Sequence, residues 1–256
     1  MGTIHPQMKQ ILKLLAQRSA GKAPLWTLGA DEARLDMEAT YAELWNDGPA
    51  IAGVVDRQIE GPRGQISVRH YTSRTHKIAP CLVFFHGGGF VIGSINTHDG
   101  LCRHLAQYAG MDVISVGYRL APENKFPAAL DDCVASVRSI ASHARSLGID
   151  PSSLFVGGDS AGANLSLSTA IRLRDEGGPA LRGLVLAYGN YDTDLETTSM
   201  NAFGSGDYFL SKRDMEWFQE QYVNGPADLS NPFVAPLHAD LRNLPPLFWP
   251  QQSSIP

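Results

Sequence analysis

Short apolar runs separated by helical patterns constrain the fold of this chain more than any other feature of its sequence. The runs are rich in Val, Leu, Ile and Phe, and they are CLVFFH (81–86), MDVISVGY (111–118), SLFVGG (153–158) and LRGLVLAYG (181–189). Helical patterns lie between them at 97–109, 127–147 and 161–175. Because the apolar residues are continuous rather than alternating, each run is typical of a strand buried on both faces. Such strands alternating with helices predict an α/β domain, a mostly parallel sheet with helices on both faces.

Segments outside this alternation predict a cap. Residues 7–18 and 31–45 carry apolar residues at helical spacing, so residues 1–50 are predicted to form a helical segment, either a packing arm or a cap over a site. Residues 51–256 are predicted to form the core, which opens with strands on either side of a Pro-Gly turn, GPRG. The region 190–225 is too long for an ordinary connection, and its helix candidate runs from Lys212 to Tyr222, so we expect a lid or a site wall there.

Charge and cysteine content narrow the classes of function. The net charge of −5, without a Lys/Arg cluster, disfavours a nucleic-acid partner or an anionic membrane surface. Cys81, Cys102 and Cys133 are far apart and in no metal-binding spacing, which is typical of buried thiols in a reducing compartment. With no secretory or membrane-spanning pattern at the N-terminus, a cytoplasmic protein without metal or cofactor is expected.

The segment Gly158-Asp159-Ser160-Ala161-Gly162 fits the pattern G-x-S-x-G and stands between a predicted strand and a predicted helix. In this context the glycines allow a sharp turn that leaves the serine projecting above the sheet. The N-terminus of the following helix adds free N–H groups and the positive end of a dipole. A chance match is the alternative in a chain with 25 glycines, but the strand–turn–helix context favours a nucleophile at Ser160.

A second motif, HGGGF at residues 86–90, directly follows the strand CLVFF. Consecutive glycines after a strand allow backbone N–H groups to face a developing oxyanion, so Gly88 and Gly89, together with Ala161, are candidate oxyanion donors. A phosphate-binding loop is the alternative, but the chain lacks the context of either nucleotide-binding glycine motif.

The histidines offer several candidate bases. His86 is interpreted as a structural residue that holds the glycine loop, because the order Ser…Asp…His places the base after the serine. His238, with Asp240 two residues on, follows the serine but lies in a predicted loop. His98, His104 and His143 fall in predicted helices and are interpreted as surface residues.

Together the motifs resemble the bacterial hormone-sensitive-lipase-like esterases of the α/β-hydrolase fold. The similar segments are HGGGF (86–90), YRLAPE (118–123), FPAALDD (126–132), DPSSLFVGGDSAGANL (150–165) and NPFVAPLHADLRNLPP (231–246). The resemblance implies a carboxylesterase with a small-molecule ester substrate of small to medium acyl length. It also implies that Ser160 is the nucleophile and that Gly88, Gly89 and Ala161 form the oxyanion hole.

The same resemblance implies that part of the family's site is absent. In the family, the strand after LPP leads to a catalytic Asp about nine residues after the second proline, and counting from Pro246 reaches Ile255. The triad Asp and His, the last strands and the strand that often builds a homodimer are therefore expected to be missing, through truncation or a frameshift. Esterase activity is then expected to be very low, because a serine without its base is a weak nucleophile. The alternatives to a slow esterase are a ligand-binding protein and a fragment that needs a complementing C-terminal piece.

Overall fold

The computed structural model describes residues 5–44, 48–72 and 78–248. Its strands are β1 (Gly53–Gly61), β2 (Gly64–Thr72), β3 (Ala79–Phe85), β4 (Asp112–Gly117), β5 (Ile149–Asp159), β6 (Gly183–Ala187) and β7 (Leu247–Phe248). Its helices are α1 (Pro6–Ser19), α2 (Ala30–Leu44), α3 (Asp99–Ala109), α4 (Ala128–Ser142), α5 (Ala161–Asp175), α6 (Thr198–Phe203) and α7 (Lys212–Tyr222). Short 3₁₀ helices span Leu25–Thr27, Pro226–Ser230 and Pro236–His238.

The strands of the described chain form one sheet in the order β1-β2-β4-β3-β5-β6-β7. The hairpin β1–β2 is antiparallel and pairs antiparallel with β4, whereas β4, β3, β5, β6 and β7 run parallel to one another. The chain passes from β3 to β4 on one side and then returns to β5 on the other side of β3. The direction of the connections therefore reverses at the carboxyl ends of β3 and β5, which is the position where open α/β sheets bind their ligands.

The core confirms the predicted α/β class. Strand β3 is buried along nearly its whole length, as expected for a strand covered on both faces. Helix α5 is also buried over most of its length, because the segment around residue 234 covers its outer side. Asn164 of α5 donates to the carbonyl oxygens of Asn190 and Val234 at 2.6 and 2.8 Å, which fixes that segment beside the end of β6.

Two of the segments predicted to form a cap or lid, α2 and α7, contact the loop that follows β3. From α2, Arg34 donates to the carbonyl oxygens of Val91 and Ala121 at 2.9 and 2.8 Å and forms an ion pair with Glu123. The predicted helix Lys212–Tyr222 is confirmed as α7, whereas α6 was not predicted. Tyr222 of α7 stacks on Phe90 with ring centroids 3.8 Å apart.

Strand β7 lies at the edge of the described sheet. Leu247 and Phe248 pair with Leu184 and Val185 of β6, and their side chains are 51% and 63% exposed. Ile255, where the resemblance would place the family's catalytic Asp, lies outside the described residues, as does Trp45 of the second predicted helix. Across the described ranges, no helix combines the length and the apolar character that crossing a bilayer requires.

Candidate active site

Ser160 occupies a sharp turn between β5 and α5. Its backbone has φ 51° and ψ −119°, a conformation that L-residues rarely adopt and that costs on the order of 1–3 kcal/mol. The turn is held against the end of β3, because a Cβ at Gly158 or Gly162 would overlap the carbonyl oxygen of Phe85. The Ser160 N–H donates to the carbonyl oxygen of Ala187 at 2.9 Å, so the turn is also tied to β6. This strained and closely packed geometry is that of a nucleophile elbow.

The glycine loop after β3 lies beside the Ser160 turn, because a Cβ at Gly162 would overlap the carbonyl oxygen of His86. Gly88 and Gly89 have φ values of 116° and 58°, which glycine adopts readily. The Gly88 carbonyl oxygen accepts from the N–H groups of Val91 and Ile92, which closes the loop into a tight turn. Within the described residues, the N–H groups of Gly88, Gly89 and Ala161 donate to no acceptor. The three predicted oxyanion donors therefore lie at the carboxyl ends of two adjacent strands with their N–H groups available.

A buried carboxylate joins the loop to the elbow. Asp159 is 7% exposed and its Oδ1 accepts the N–H of Gly87 at 2.9 Å. His98 Nε2 lies 3.2 Å from Asp159 Oδ1, and the Tyr188 hydroxyl donates to Asp159 Oδ2 at 3.2 Å. Burial opposes ionisation, but the hydrogen bond and charge of His98, together with the hydrogen bond from the Gly87 N–H, outweigh it. The pKa of Asp159 consequently lies below its usual range.

His98 was not found by sequence reasoning. It was expected at the surface of a helix, but this expectation is wrong, because His98 precedes α3 and is only 3% exposed. Its partner Asp159 is 61 residues away in sequence, so no local pattern links the two. The sequence motif contains Asp159, but it does not indicate that this side chain binds Gly87 and His98.

His86 is buried behind the glycine loop and is neutral. Its Nδ1–H donates to the Gly87 carbonyl oxygen at 2.7 Å, and its ring stacks on Tyr118 with centroids 4.3 Å apart. Burial, followed by the nearby charge of His98, lowers the pKa of His86 to about 4, although the Gly87 carbonyl and Asp159 oppose this shift. These contacts agree with the interpretation of His86 as a structural residue.

In the described part of the chain, no histidine is hydrogen-bonded to Ser160. His238 Nε2 instead lies 3.1 Å from Asp192 in a pair exposed to solvent, and His70 Nε2 lies 2.7 Å from Asp112. His104 is exposed on α3, and His143 is exposed just after the end of α4. The described residues thus bring Ser160 together with the three predicted oxyanion donors, and no described histidine is hydrogen-bonded to that serine.

Comparison with known proteins agrees with this geometry. The sequence profile of the family described as alpha/beta hydrolase fold matches residues 82–249, which contain both motifs. The chain belongs to the α/β-hydrolase family. This assignment confirms the predicted fold class, with its mostly parallel sheet flanked by helices.

Relatives of this α/β-hydrolase also confirm the resemblance to carboxylesterases. The carboxylic ester hydrolase LipN of Mycobacterium tuberculosis is 42% identical over 75% of this chain, and ethyl acetate hydrolase of Pseudomonas putida is 38% identical over 92%. The structure of a hyperthermophilic esterase from Pyrobaculum calidifontis superimposes with a TM-score of 0.90, is 38% identical and covers 96% of this chain. The chain spans 53% of LipN, 76% of ethyl acetate hydrolase and 79% of the Pyrobaculum esterase.

Proposed function

We propose that this α/β-hydrolase is a carboxylic ester hydrolase with Ser160 as its nucleophile and Gly88, Gly89 and Ala161 as its oxyanion hole. The observation that carries the proposal is the strained backbone of Ser160, with φ 51°, beside three N–H groups that have no acceptor in the described chain. The names of the relatives support the same reaction class.

In the proposed reaction, Ser160 Oγ attacks the ester carbonyl carbon and its proton passes to a general base. The carbonyl oxygen becomes an oxyanion that accepts from the N–H groups of Gly88, Gly89 and Ala161. The alcohol leaves with the proton from the base, and an acyl-serine remains. Water, deprotonated by the same base, then releases the carboxylic acid and restores the serine.

The site supports a small-molecule ester of small to medium acyl length as the substrate. Aromatic side chains of α7 lie close to the oxyanion loop, because the Phe218 ring packs against Gly89 and Tyr222 stacks on Phe90. Two relatives are named for acetyl esters, ethyl acetate hydrolase and acetyl esterase. The buried thiols of Cys81, Cys102 and Cys133 support a cytoplasmic location.

The base decides how active this chain is. Removal of the histidine from a serine triad costs about a millionfold in kcat, and the oxyanion hole and binding retain roughly 10³–10⁴-fold acceleration over water. Because none of the described histidines is hydrogen-bonded to Ser160, we expect slow turnover.

Because no described residue is hydrogen-bonded to the Ser160 hydroxyl, a second candidate function is a hydrolase-fold protein that binds an ester or a related ligand without hydrolysing it. A base supplied from outside the described residues, on this chain or on a complementing piece, is the remaining alternative. The three alternatives differ in the rate of turnover and in its response to mutation of Ser160.

The test is hydrolysis of p-nitrophenyl butyrate by the parent chain, by Ser160→Ala and by Ser153→Ala. Ser153 lies on β5, the strand that ends directly before Ser160. We expect slow hydrolysis that Ser160→Ala abolishes and Ser153→Ala leaves unchanged. Thermal stabilisation by the ester without any Ser160-dependent hydrolysis would identify the binding protein instead. Rapid turnover that depends on Ser160 would show that a base outside the described residues serves the site.

A further inference from the structure

The polar cluster around Asp159 lies behind the oxyanion loop and takes no direct part in ester hydrolysis. Asp159 accepts from three different segments: Gly87 of the loop after β3, His98 at the start of α3, and Tyr188 after β6. A buried carboxylate without partners is strongly unfavourable, so these three donors are what keep an ionised group at this position.

The proton positions follow from the acceptors. An ionised carboxylate only accepts hydrogen bonds, so His98 Nε2 carries a hydrogen and donates it to Asp159. His98 Nδ1 lies 2.8 Å from Thr97 Oγ1, which also lies 2.9 Å from the carbonyl oxygen of Ser94 and 2.9 Å from its N–H. The His98 ring is thereby held between Thr97 on one side and Asp159 on the other.

The Asp159–His98 pair is in direct contact with the peptide that precedes the oxyanion donors. The Gly87 N–H donates to Asp159 Oδ1, and a Cβ at Gly87 would overlap Asp159 Oδ2, so the loop lies directly on the carboxylate. Asp159 is also the residue before Ser160. One side chain thus fixes the distance between the glycine loop and the nucleophile.

We infer that Asp159 and His98 are positioning residues for the oxyanion hole. His98 holds the Asp159 carboxylate in place, and the carboxylate holds the Gly87 peptide so that the N–H groups of Gly88 and Gly89 face the substrate carbonyl. Neither side chain contacts the substrate. The inference deepens the proposed ester hydrolysis and rests on it.

Among the described neighbours of His98, Asp159 is the carboxylate, whereas the others are aromatic rings. The rings around it belong to Tyr41 of α2 at 5.7 Å, His86 at 5.6 Å and Phe84 at 6.0 Å, measured between centroids. Burial raises the pKa of Tyr41 to about 12, with a further rise from the charge of Asp159, so that hydroxyl is neutral. A change at His98 therefore acts on the site mainly through Asp159.

The first test is hydrogen–deuterium exchange in the intact chain, read at the peptide that covers residues 86–93. The variants are His98→Leu, which removes the donor, His98→Gln, which keeps a neutral donor, and Asp159→Asn. The matched control is His104→Gln, an exposed histidine on the same helix. We expect about tenfold faster exchange at 86–93 in His98→Leu and Asp159→Asn, an intermediate effect in His98→Gln, and no change in the control.

The second readout is the Ser160-dependent hydrolysis of p-nitrophenyl acetate. Misplaced oxyanion donors should lower kcat by at least about tenfold and leave KM within about twofold, with partial rescue in His98→Gln. Unchanged exchange at 86–93, or exchange that rises equally throughout the sheet, would overturn the inference. If Ser160→Ala does not reduce hydrolysis, the proposed function fails, whereas the exchange result still decides whether Asp159 and His98 hold the loop. If His98→Leu or Asp159→Asn does not fold, the exchange rate of His98→Gln at residues 86–93 decides the inference in its place.

Discussion

The carboxyl ends of β3 and β5 differ sharply from the carboxyl ends of β6 and β7. At β3 and β5, backbone atoms of the two motifs are in contact and the buried Asp159 bonds to the loop on one side and precedes Ser160 on the other. At β6 and β7, Tyr188 is 63% exposed, His238 pairs with Asp192 in solvent, and Phe248 lies at the sheet edge.

The difference separates two chemical tasks. Stabilisation of an oxyanion needs backbone N–H groups, which two adjacent loops supply through their own geometry. Proton transfer needs a side chain brought to the serine from another segment. Under the proposed function, the described residues supply the groups for the first task, whereas no described histidine is hydrogen-bonded to Ser160 for the second.

The largest expected effect is on the free energy of unfolding when one methyl group is added in each region, at Gly162 beside β3 and at Gly189 after β6. In Gly162→Ala the Cβ would overlap the backbone carbonyl of Phe85, which cannot move without displacing β3, so we expect failure to fold or a loss on the order of 5 kcal/mol. In Gly189→Ala the Cβ would meet the outer ring atoms of the buried Tyr191 side chain rather than backbone, and a loss of about 1–3 kcal/mol is expected. Urea unfolding of both variants measures the difference, and equal losses would remove the contrast between the two regions.

A second comparison truncates one phenylalanine in each region. Phe218 of α7 is buried against Gly89, so Phe218→Ala should lower the free energy of unfolding by about 3–5 kcal/mol. Phe248 of β7 is exposed, so Phe248→Ala should change it by about 0.5 kcal/mol or less. Chemical denaturation of the two variants beside the parent chain checks the order. A large loss in Phe248→Ala would show that the β7 side is as tightly packed as the oxyanion side.

The smallest expected effect is pH dependence centred on the oxyanion side. The pKa of His86 is about 4 in the folded chain against its usual 6.5, so the unfolded chain binds more protons between these values. Stability from this group is complete above its usual pKa and is lost as pH falls towards about 4, by up to about 3 kcal/mol.

Urea unfolding at about pH 7 and about pH 5 measures this loss. His86→Asn, which keeps a donor for the Gly87 carbonyl oxygen, should flatten the dependence, whereas His238→Gln on the exposed side should leave it in place. A dependence that persists unchanged in His86→Asn would assign it to another group.

Much of the fold could be predicted because periodicity is a local property. Helix α5 was predicted at 161–175 and α7 at Lys212–Tyr222 with their observed bounds. The start of α7 carries a capping box between Ser211 and Asp214, which fixes its first turn locally. Helix α6 has six residues and contains no buried residue, so it leaves no apolar pattern to detect.

The candidate site was predictable only as far as its motifs are contiguous. Ser160, Gly88, Gly89 and Ala161 lie in two short segments whose chemistry is visible in the sequence, and their catalytic roles stay predictions. The burial of His98 against Asp159 depends on how α3 and β5 pack around β3, which no spacing in the sequence reveals.

The contact between α2 and the loop after β3 has an evolutionary consequence. Arg34 binds the main-chain oxygens of residues 91 and 121, not their side chains. Substitutions at those two positions can accumulate without loss of this attachment, provided that the backbone keeps its course. A relative that keeps this arginine is therefore expected to keep the docking of α2 even where residues 91 and 121 differ.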